Sequence, residues 1–210
     1  MAKRPSSSDG TLVLATANRA KARELRTLLG SIPYRVLDLT DFPSLTLPPE
    51  GTQSYAANAL LKARAVAAAT RTLALADDSG IEVDALGGRP GVLSARYGGE
   101  GLSDEDRCVA MLRELHDIPP ERRSARYRCV VALSTPEGRE VTTEGVVEGI
   151  LLDRPRGKGG FGYDPLFYYP ALGATFAELA PEAKHAVSHR GQAMVRARRI
   201  LLEWGHGPPS

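Results

Sequence analysis

Short apolar blocks, separated by polar and turn-forming residues, organise the first part of the chain. The runs at residues 12–16, 35–39 and 73–77 have the length and composition of strands. After the first run, Asn18 is placed to cap a helix that stops at Gly30. Strands and helices therefore alternate here, a pattern typical of α/β folds.

Two more helices are predicted from apolar spacing. An alanine-rich helix over residues 53–70 follows a proline-rich loop at residues 42–51, and it carries Asn58 and Lys62 on one face because they are four residues apart. The last helix is predicted from about residue 188 to residue 204, with an apolar stripe along one side.

The second half of the chain adds a long hairpin. Residues 126–134 and 139–152 are rich in strand-forming residues, and the Pro and Gly of residues 135–138 suit a type I turn between them. Ser103 and Asp106 form a capping-box pattern that opens a helix to about residue 115. Early alternation followed by a late hairpin predicts an α/β fold built on a mixed sheet.

Composition narrows the class of protein. Of the 210 residues, 42% are hydrophobic and 25% are charged, which is typical of a globular chain and excludes a mostly disordered one. No apolar run is long enough for a membrane span, and the polar start does not resemble a secretory signal. We therefore expect tails at residues 1–10 and 206–210 around one domain at residues 11–205.

Cysteine content and charge add two further expectations. Cys108 and Cys129 are too few for a disulfide framework or a four-cysteine zinc site, so a cytoplasmic protein is expected. A net charge of +2 gives no reason to expect a nucleic-acid partner.

An acidic cluster follows the third predicted strand. Asp77 and Asp78 are expected to end that strand, with Glu82 and Asp84 just beyond and Glu50 in the preceding loop. Adjacent carboxylates repel one another unless a cation compensates, and oxygen ligands of this kind suit Mg²⁺ together with phosphate and water. A solvated acidic turn is the alternative interpretation.

Cations occupy the starts of two predicted helices. Arg19 and Lys21 follow Asn18, and His189 and Arg190 begin the last helix, where the helix dipole disfavours positive charge. Bound anions would explain both placements, and free N–H groups between residues 16 and 21 would suit a phosphate. Surface side chains that extend into water are the alternative.

A glycine-rich segment at residues 157–162 matches G-x-G-x-x-G in form only. Asp164 and Pro165 follow it, and Pro165 would stop the helix that a dinucleotide fingerprint requires. The glycines would let the main chain approach a ligand, with the rings of Phe161 and Tyr163 beside a base. A flexible loop with two core aromatic residues is equally compatible with these residues.

Six motifs, taken in order, resemble the inosine/xanthosine triphosphate pyrophosphatase family. The resemblance covers roughly residues 12–204 and implies a long twisted mixed sheet, with helices forming two lobes around a nucleotide cleft. It also implies a homodimer that uses Mg²⁺ to hydrolyse ITP, dITP and XTP to the nucleoside monophosphate and pyrophosphate, without a nucleic-acid or membrane partner. The motifs are Thr16-x-Asn-x-x-Lys21, Asn58-Ala-x-x-Lys62-Ala, Ala76-Asp-Asp-Ser-Gly80, Ser94-Ala-Arg-Tyr97, Gly159-Gly-Phe-Gly-Tyr-Asp-Pro165, and Lys184 with Ser188-His-Arg-Gly191.

The resemblance also implies roles for individual residues. Asp78 corresponds to the general base and a metal ligand, and Glu50 to a second metal-associated carboxylate, although Gly51-Thr52 reverses the usual order after it. Whether Asp77 or Asp78 takes the proton stays open at this point. The phosphate-side residues are Thr16, Ala17, Asn18, Arg19, Ala20, Lys21, Lys62 and Ser79. The base-side and sugar-side residues are Phe161, Gly162, Tyr163, Asp164, Lys184, His189 and Arg190.

Two other functions compete with this one. A Maf-like nucleotide pyrophosphatase would perform similar chemistry on other bases, and the Gly-Phe-Gly-Tyr-Asp and Ser-His-Arg motifs argue against it. A non-catalytic nucleic-acid-binding module would use the arginines at positions 122, 123, 126 and 128.

Overall fold

A computed structural model describes residues 10–205 of the chain. Apart from Gly10, the predicted tails at residues 1–10 and 206–210 lie outside the described residues. Among the helices of residues 10–205, none combines the length and apolar character needed to cross a membrane.

Within residues 10–205, five α-helices and seven strands form in an order close to that predicted. The helices are α1 (Arg19–Leu29), α2 (Tyr55–Thr70), α3 (Asp104–Glu114), α4 (Pro181–Val187) and α5 (His189–Gly205). The strands are β1 (Thr11–Leu14), β2 (Arg35–Asp38), β3 (Leu73–Val83), β4 (Ser124–Ser134), β5 (Glu140–Leu151), β6 (Phe167–Tyr169) and β7 (Ala174–Thr175).

All seven strands join one sheet in the order β2-β1-β3-β4-β5-β6-β7. Strand β1 is parallel to both β2 and β3, with Leu12 opposite Val36 on one side and Leu73 on the other. Strand β6 is antiparallel to β5 and β7. The sheet is therefore mixed, as the alternation and the late hairpin predict.

The chain divides into two compact units. The first contains the residues up to Asp78, Val130–Thr143 and the residues from Ala193 onward, and the second contains Ser79–Cys129 and Glu144–Gln192. Strands β3, β4 and β5 and helix α5 contribute residues to both units. The assignment of residues 11–205 to one domain stays a prediction.

The first unit is built around β1 and α1. Leu12 and Leu14 of the strand and Leu25 and Leu29 of the helix are fully buried. Helix α1 starts and stops as the sequence predicts, with Asn18 as its N-cap and Gly30 as its C-cap. The Asn18 cap fixes where the loop between β1 and α1 ends.

The second unit has an aromatic core. The ring of Tyr127 lies 4.7 Å from the ring of Phe167 and 5.9 Å from that of Phe176, measured between centroids. Beside this core, the buried guanidinium of Arg123 donates hydrogen bonds to the carbonyl oxygens of Ile118 at 2.8 Å and Leu115 at 2.9 Å. Arg123 is therefore a structural residue of this unit.

The structure corrects the prediction for β3 and adds elements that were not predicted. Strand β3 does not end at the acidic pair, because it continues to Val83 with Ile81 and Val83 fully buried. Helix α4 and strands β6 and β7 were missed, since each is too short to show a periodic pattern.

Candidate functional site

Strand β3 places two carboxylates in the first unit. Asp77 and Asp78 are consecutive residues of an extended strand, so their side chains point to opposite faces of the sheet. The Asp77 carboxylate lies 3.5 Å from Nζ of Lys21, and that of Asp78 accepts a hydrogen bond from Nδ2 of Asn58 at 2.9 Å. Both acids are buried, with Asp78 only 4% exposed.

Lys62 of helix α2 connects these acids to Glu50. Its Nζ donates to the main-chain oxygen of Asp77 at 2.7 Å and to Oε1 of Glu50 at 2.5 Å. Burial on its own would lower the pKa of Lys62, but the charges of Asp77, Glu50 and Asp78 outweigh it and raise the pKa above its ordinary value. Lys62 is therefore a buried cation at neutral pH.

Burial also governs the carboxyl group of Asp78. Loss of hydration raises the pKa of Asp78 above its ordinary value, and the charge of Lys62 and the hydrogen bond from Asn58 oppose this rise without cancelling it. The negative charge of Glu50 raises the pKa further, so the two carboxylates are within electrostatic range of one another.

Asn58 holds the loop that carries Glu50. Its Oδ1 accepts from the N–H of Gly51 at 2.8 Å, and its Nδ2 donates to the Gly51 carbonyl oxygen at 3.2 Å. Because Asn58 also bonds Asp78, one amide side chain fixes the loop and the strand acid together. We call Glu50, Asn58, Lys62, Asp77 and Asp78 the Asp78 cluster.

The donor set of the Asp78 cluster fits a magnesium ion that is completed by other ligands. Within residues 10–205, no group of three or more His, Cys, Asp or Glu side chains could hold a metal ion alone. Asp78 and Glu50 nevertheless supply two carboxylates, and Mg²⁺ commonly takes one or two from a protein and the rest from phosphate and water. The cluster is compatible with a metal that arrives with a phosphorylated ligand.

The segment from Thr16 to Lys21 has fewer free N–H groups than the sequence led us to expect. The N–H of Asn18 donates to Oγ1 of Thr16 at 3.2 Å, and those of Ala20 and Lys21 donate to Oδ1 of Asn18 at 2.9 and 3.1 Å. The expectation of free donors is therefore wrong for these three groups, because the capping side chain uses them. An open cavity of about 420 Å³ lies beside the segment and is lined in part by Thr16, Ala17 and Arg19.

The second unit brings together another set of predicted residues around Phe161. Oδ2 of Asp164 accepts from the N–H of Phe161 at 2.9 Å and from Nζ of Lys184 at 2.6 Å. Nζ of Lys184 lies 4.9 Å from the centroid of the Phe161 ring, and the guanidinium carbon of Arg190 lies 5.5 Å from it. A partly exposed ring therefore has two cations beside it.

The start of helix α5 supplies the last two predicted residues. Arg190 is 1% exposed and donates from Nη2 to Oγ of Ser79 at 2.8 Å. The ring of His189 stacks on that of Tyr127, with centroids 4.6 Å apart and planes 8° from parallel. Both side chains are thus held inside the second unit, where their donors have fixed positions.

Tyr163 differs from its expected role. Its ring is 3% exposed within the aromatic core, and its hydroxyl donates to the main-chain oxygen of Ser94 at 2.8 Å. The expectation that this ring faces a base is wrong, because the turn at residues 162–166 buries the Tyr163 ring and the bond to Ser94 holds its hydroxyl inside the core. Of the two predicted rings, that of Phe161 has the greater exposure.

The glycines of the glycine-rich segment serve the protein's own packing. A Cβ added at Gly157 would lie 2.5 Å from the main-chain carbonyl of Ala177, and one at Gly160 would lie 2.0 Å from Oδ2 of Asp164. The expectation that these glycines admit a ligand is therefore wrong at these two positions, since other parts of the chain occupy that space.

Ion pairs remove most of the basic surface on which the nucleic-acid alternative depends. Arg126 contacts Asp84 and Glu148, and Arg128 contacts Glu82. Arg123 is buried, as described above. Paired and buried arginines of this kind do not form the positive patch that phosphate backbones require.

Sequence reasoning missed two residues that hold the site in place. The spacing of Asn58 from Lys62 and its place in the Asn58-Ala-x-x-Lys62-Ala motif were the available signals, and neither predicts its bonds to Gly51 and Asp78. Asp104 was not considered at all, although its Oδ2 accepts a hydrogen bond from the N–H of Gly162 at 2.7 Å. A contact between positions 58 residues apart leaves no local pattern in the sequence.

The predicted site residues form two groups, one in each unit. The first unit holds Thr16, Ala17, Asn18, Arg19, Ala20, Lys21, Glu50, Lys62 and Asp78. The second unit holds Ser79, Phe161, Gly162, Tyr163, Asp164, Lys184, His189 and Arg190.

Comparisons with known proteins agree with the motif order. The dITP/XTP pyrophosphatase of Geobacter sulfurreducens is 51% identical over 183 residues, which cover 87% of this chain and 92% of that protein. The dITP/XTP pyrophosphatase of Desulforamulus reducens is 50% identical over 190 residues, covering 90% and 94%. A solved HAM1 protein from Coxiella burnetii superimposes with a TM-score of 0.84 at 40% identity and covers 92% of this chain and 99% of its own.

The family model agrees with these relatives and spans most of the described residues. The Ham1 family model matches residues 12–200, which include every predicted site residue. With relatives near 50% identity over most of their length, the chain belongs to the Ham1 family.

Proposed function

We propose that the chain hydrolyses non-canonical purine nucleoside triphosphates, namely ITP, dITP and XTP, to the nucleoside monophosphate and pyrophosphate. The Asp78 cluster carries the proposal, because a buried carboxylate there lies beside two lysines, Lys21 and Lys62, that suit a polyphosphate. The curated relatives are named dITP/XTP pyrophosphatases, which supports the same reaction and two of these three substrates.

The proposal assigns Mg²⁺ to Asp78 and Glu50. Held by these two carboxylates, the ion would supply Lewis-acid stabilisation of negative charge on the triphosphate. The ammonium group of Lys62 pairs with Glu50 and holds that carboxylate in place, so Glu50 is proposed as a metal ligand only.

Asp78 is the proposed general base, and Asp77 has a supporting role. The Asp77 carboxylate has no exposed surface and lies beside Lys21, so it is suited to hold that lysine rather than to reach a water molecule. Asp78 would orient the attacking water at the α-phosphate and accept its proton. Lys21 and Lys62 would neutralise the pyrophosphate as it leaves.

Recognition of the base is assigned to the second unit. The Phe161 ring offers a stacking surface, and the positively charged side chains of Lys184 and Arg190 are already beside it. Donors from Arg190 and His189 would bond the 6-keto oxygen of the purine. Adenine has an amino group at position 6, which is itself a donor, so the donors of Arg190 and His189 would be left unpaired. This is the proposed basis for discrimination against ATP.

The deciding experiment measures pyrophosphate release from ITP, XTP, GTP, ATP and TTP in the presence of Mg²⁺. We expect strong turnover of ITP and XTP that falls by roughly 10²-fold or more in Asp78→Asn, a loss typical of removing a general base. Asp117→Asn is the matched control, because its carboxylate is 96% exposed and lies outside the cluster. Circular dichroism of both variants would show that the fold is retained.

Three outcomes would count against the proposal. Activity on TTP in place of ITP would identify a Maf-like enzyme, and equal kcat/KM for ITP and ATP would refute the 6-keto recognition. Lack of activity on every nucleotide would refute the reaction itself. The proposed homodimer rests on the family resemblance, and sedimentation equilibrium would test it separately.

A further inference from the structure

Helix α3 holds the main chain of the segment that carries Phe161. This segment, Phe161–Asp164, is called the Phe161 segment below. Oδ2 of Asp104, in the first turn of α3, accepts from the N–H of Gly162 at 2.7 Å. One turn further along, Sγ of Cys108 donates to the Gly162 carbonyl oxygen at 3.5 Å. Both main-chain polar groups of Gly162 are therefore held by one face of one helix.

The Cys108 thiol is a donor here and not a nucleophile. Burial and the nearby acids Asp104 and Asp164 raise the pKa of Cys108 to about 11, so the thiol keeps its proton. Its role is to supply one weak hydrogen bond to the segment.

Gly162 is a glycine for conformational reasons. Its φ is +62°, in the left-handed region, and no described atom lies within 4 Å of a Cβ added there. Space is therefore available, and the backbone conformation is what excludes other residues. Glycine is also the residue with the most freedom to leave that conformation, so external hydrogen bonds are needed to keep it there.

Asp104 is itself held in a fixed position. Its Oδ1 pairs with Arg107, whose Nη1 donates to the main-chain oxygens of Leu102 at 2.5 Å and Ala95 at 3.2 Å. Ser103 caps the helix just before it, in a capping box with Asp106. The helix dipole favours an acid at a helix start, and this alone would explain Asp104 in the first turn of α3. The dipole does not explain why its carboxylate binds Gly162, which lies in a different segment of the chain.

A displacement of Gly162 would be transmitted to the Phe161 ring. Phe161 is its direct neighbour, and the Phe161 N–H bonds Asp164, which in turn binds Lys184. On the other side, the Tyr163 hydroxyl is anchored to Ser94. These two anchors do not hold the Phe161–Gly162 peptide itself, whose N–H is bound by Asp104, so a rotation of that peptide would move the Phe161 side chain.

We propose that Asp104 is a positioning residue that sets base affinity and selectivity by fixing Gly162, and through it the Phe161 ring. The proposal rests on the function proposed above, in which Phe161 stacks on the purine. In this proposal Asp104 acts through its bond to Gly162 and not on the reacting atoms, so its loss should change KM for the base and not the chemical step.

Kinetics of four variants test this role. Asp104→Ala should raise KM for XTP about ten-fold, equivalent to about 1.4 kcal/mol, with kcat changed less than about two-fold. The ratio of kcat/KM for XTP over ATP should fall with it. Asp104→Asn keeps an oxygen acceptor for the Gly162 N–H and should recover much of the loss.

Two matched variants separate positioning from general damage to α3. Asp106→Ala removes the partner of the Ser103 cap in the same helical turn, and Arg107→Met removes the ion pair while leaving the bond to Gly162. Asp106→Ala should keep KM within about two-fold of wild type, and Arg107→Met, which loosens Asp104 but leaves its carboxylate as the acceptor, should raise KM clearly less than Asp104→Ala does. If either matched Asp104→Ala in KM, the proposal would be overturned.

Amide hydrogen exchange gives a test that does not depend on activity. Exchange at Gly162 should be slow in wild type and in Asp106→Ala, and much faster in Asp104→Ala. Equal protection in all three would overturn the contact itself. If Asp104→Ala lost this protection but kept the wild-type KM for XTP, the positioning role would be overturned. If the wild type were inactive while Asp104→Ala still lost protection, only the proposed function would be refuted.

Discussion

Replacement of Asn58 by alanine should damage both stability and activity, because its side chain makes three hydrogen bonds, one fully buried and two partly buried. Two of them join neutral main-chain groups of Gly51, and the third joins the carboxylate of Asp78. At roughly 1 kcal/mol for each neutral bond and roughly 1.5–3 kcal/mol for the charged one, the unfolding free energy should fall by roughly 3.5–5 kcal/mol. Water entering the space left by the amide would bring the value toward the lower end.

Activity should fall for a separate reason. Without Asn58, the loop that carries Glu50 loses its direct link to Asp78 and is joined to β3 through Lys62 alone, so the two proposed metal ligands are held less firmly relative to one another. We expect kcat for XTP to fall at least ten-fold, and the Mg²⁺ concentration needed for half-maximal activity to rise.

Urea unfolding of wild type, Asn58→Ala and Leu61→Ala would measure the stability effect. Leu61 lies on the same helix with a side chain that is 38% exposed, so its truncation should cost less than about 1 kcal/mol. If Asn58→Ala unfolded at the same urea concentration as Leu61→Ala, the three hydrogen bonds would not have the proposed energetic role. An unchanged Mg²⁺ dependence would refute the link between Asn58 and the metal ligands.

Two further predictions concern residues away from the proposed chemistry. Arg123→Met should lower the unfolding free energy by roughly 1–3 kcal/mol, because it leaves buried carbonyl oxygens without their donor. Replacement of the exposed Arg122 by Met is the control, and equal urea midpoints for the two variants would contradict this prediction. Hydrogen bonds from Thr40 and Arg26 lower the pKa of Asp38 from 3.8 to about 2. Since the folded-state pKa is the lower one, this stabilisation is complete above pH 4 and is lost as the pH falls toward 2. Urea midpoints should therefore differ between wild type and Asp38→Asn at pH 5 and converge near pH 2, and a constant difference would refute the assignment.

Local signals in the sequence were sufficient for most helices and strands. Asn18 and Gly30 bound α1 as predicted, and the Ser103 capping box starts α3, because caps depend on residues within one turn. Helix α4 was missed for the same reason, since its N-cap position is Ala180, which forms no side-chain cap. Pro181 at its first position and Glu182 in its first turn are weak start signals, but seven residues are too few to show the apolar period that would confirm a helix.

Long-range compensation explains why the end of β3 was wrongly predicted. Two adjacent acids indicate a strand end when only the local sequence is considered, because buried carboxylates are unfavourable without partners. In the structure, Lys21 lies beside Asp77, and Asn58 and Lys62 serve Asp78, so the strand continues through both. The partners come from helices α1 and α2, and single-sequence periodicity does not show which helix faces which strand residue.

The two proposed positioning contacts follow the same physical design. In the first unit, Asn58 binds both the N–H and the carbonyl oxygen of Gly51, next to Glu50. In the second, Asp104 and Cys108 bind the same two groups of Gly162, next to Phe161. In each case a helix fixes the peptide of a glycine whose neighbour carries the proposed chemistry. The consequences should differ because the neighbours differ: loss at Asn58 displaces a metal ligand and lowers kcat for every nucleotide, whereas loss at Asp104 displaces a stacking ring and raises KM according to the base. A kcat effect at Asn58 and a KM effect at Asp104, measured on the same substrate, would therefore separate the residues that serve the phosphates from those that serve the base.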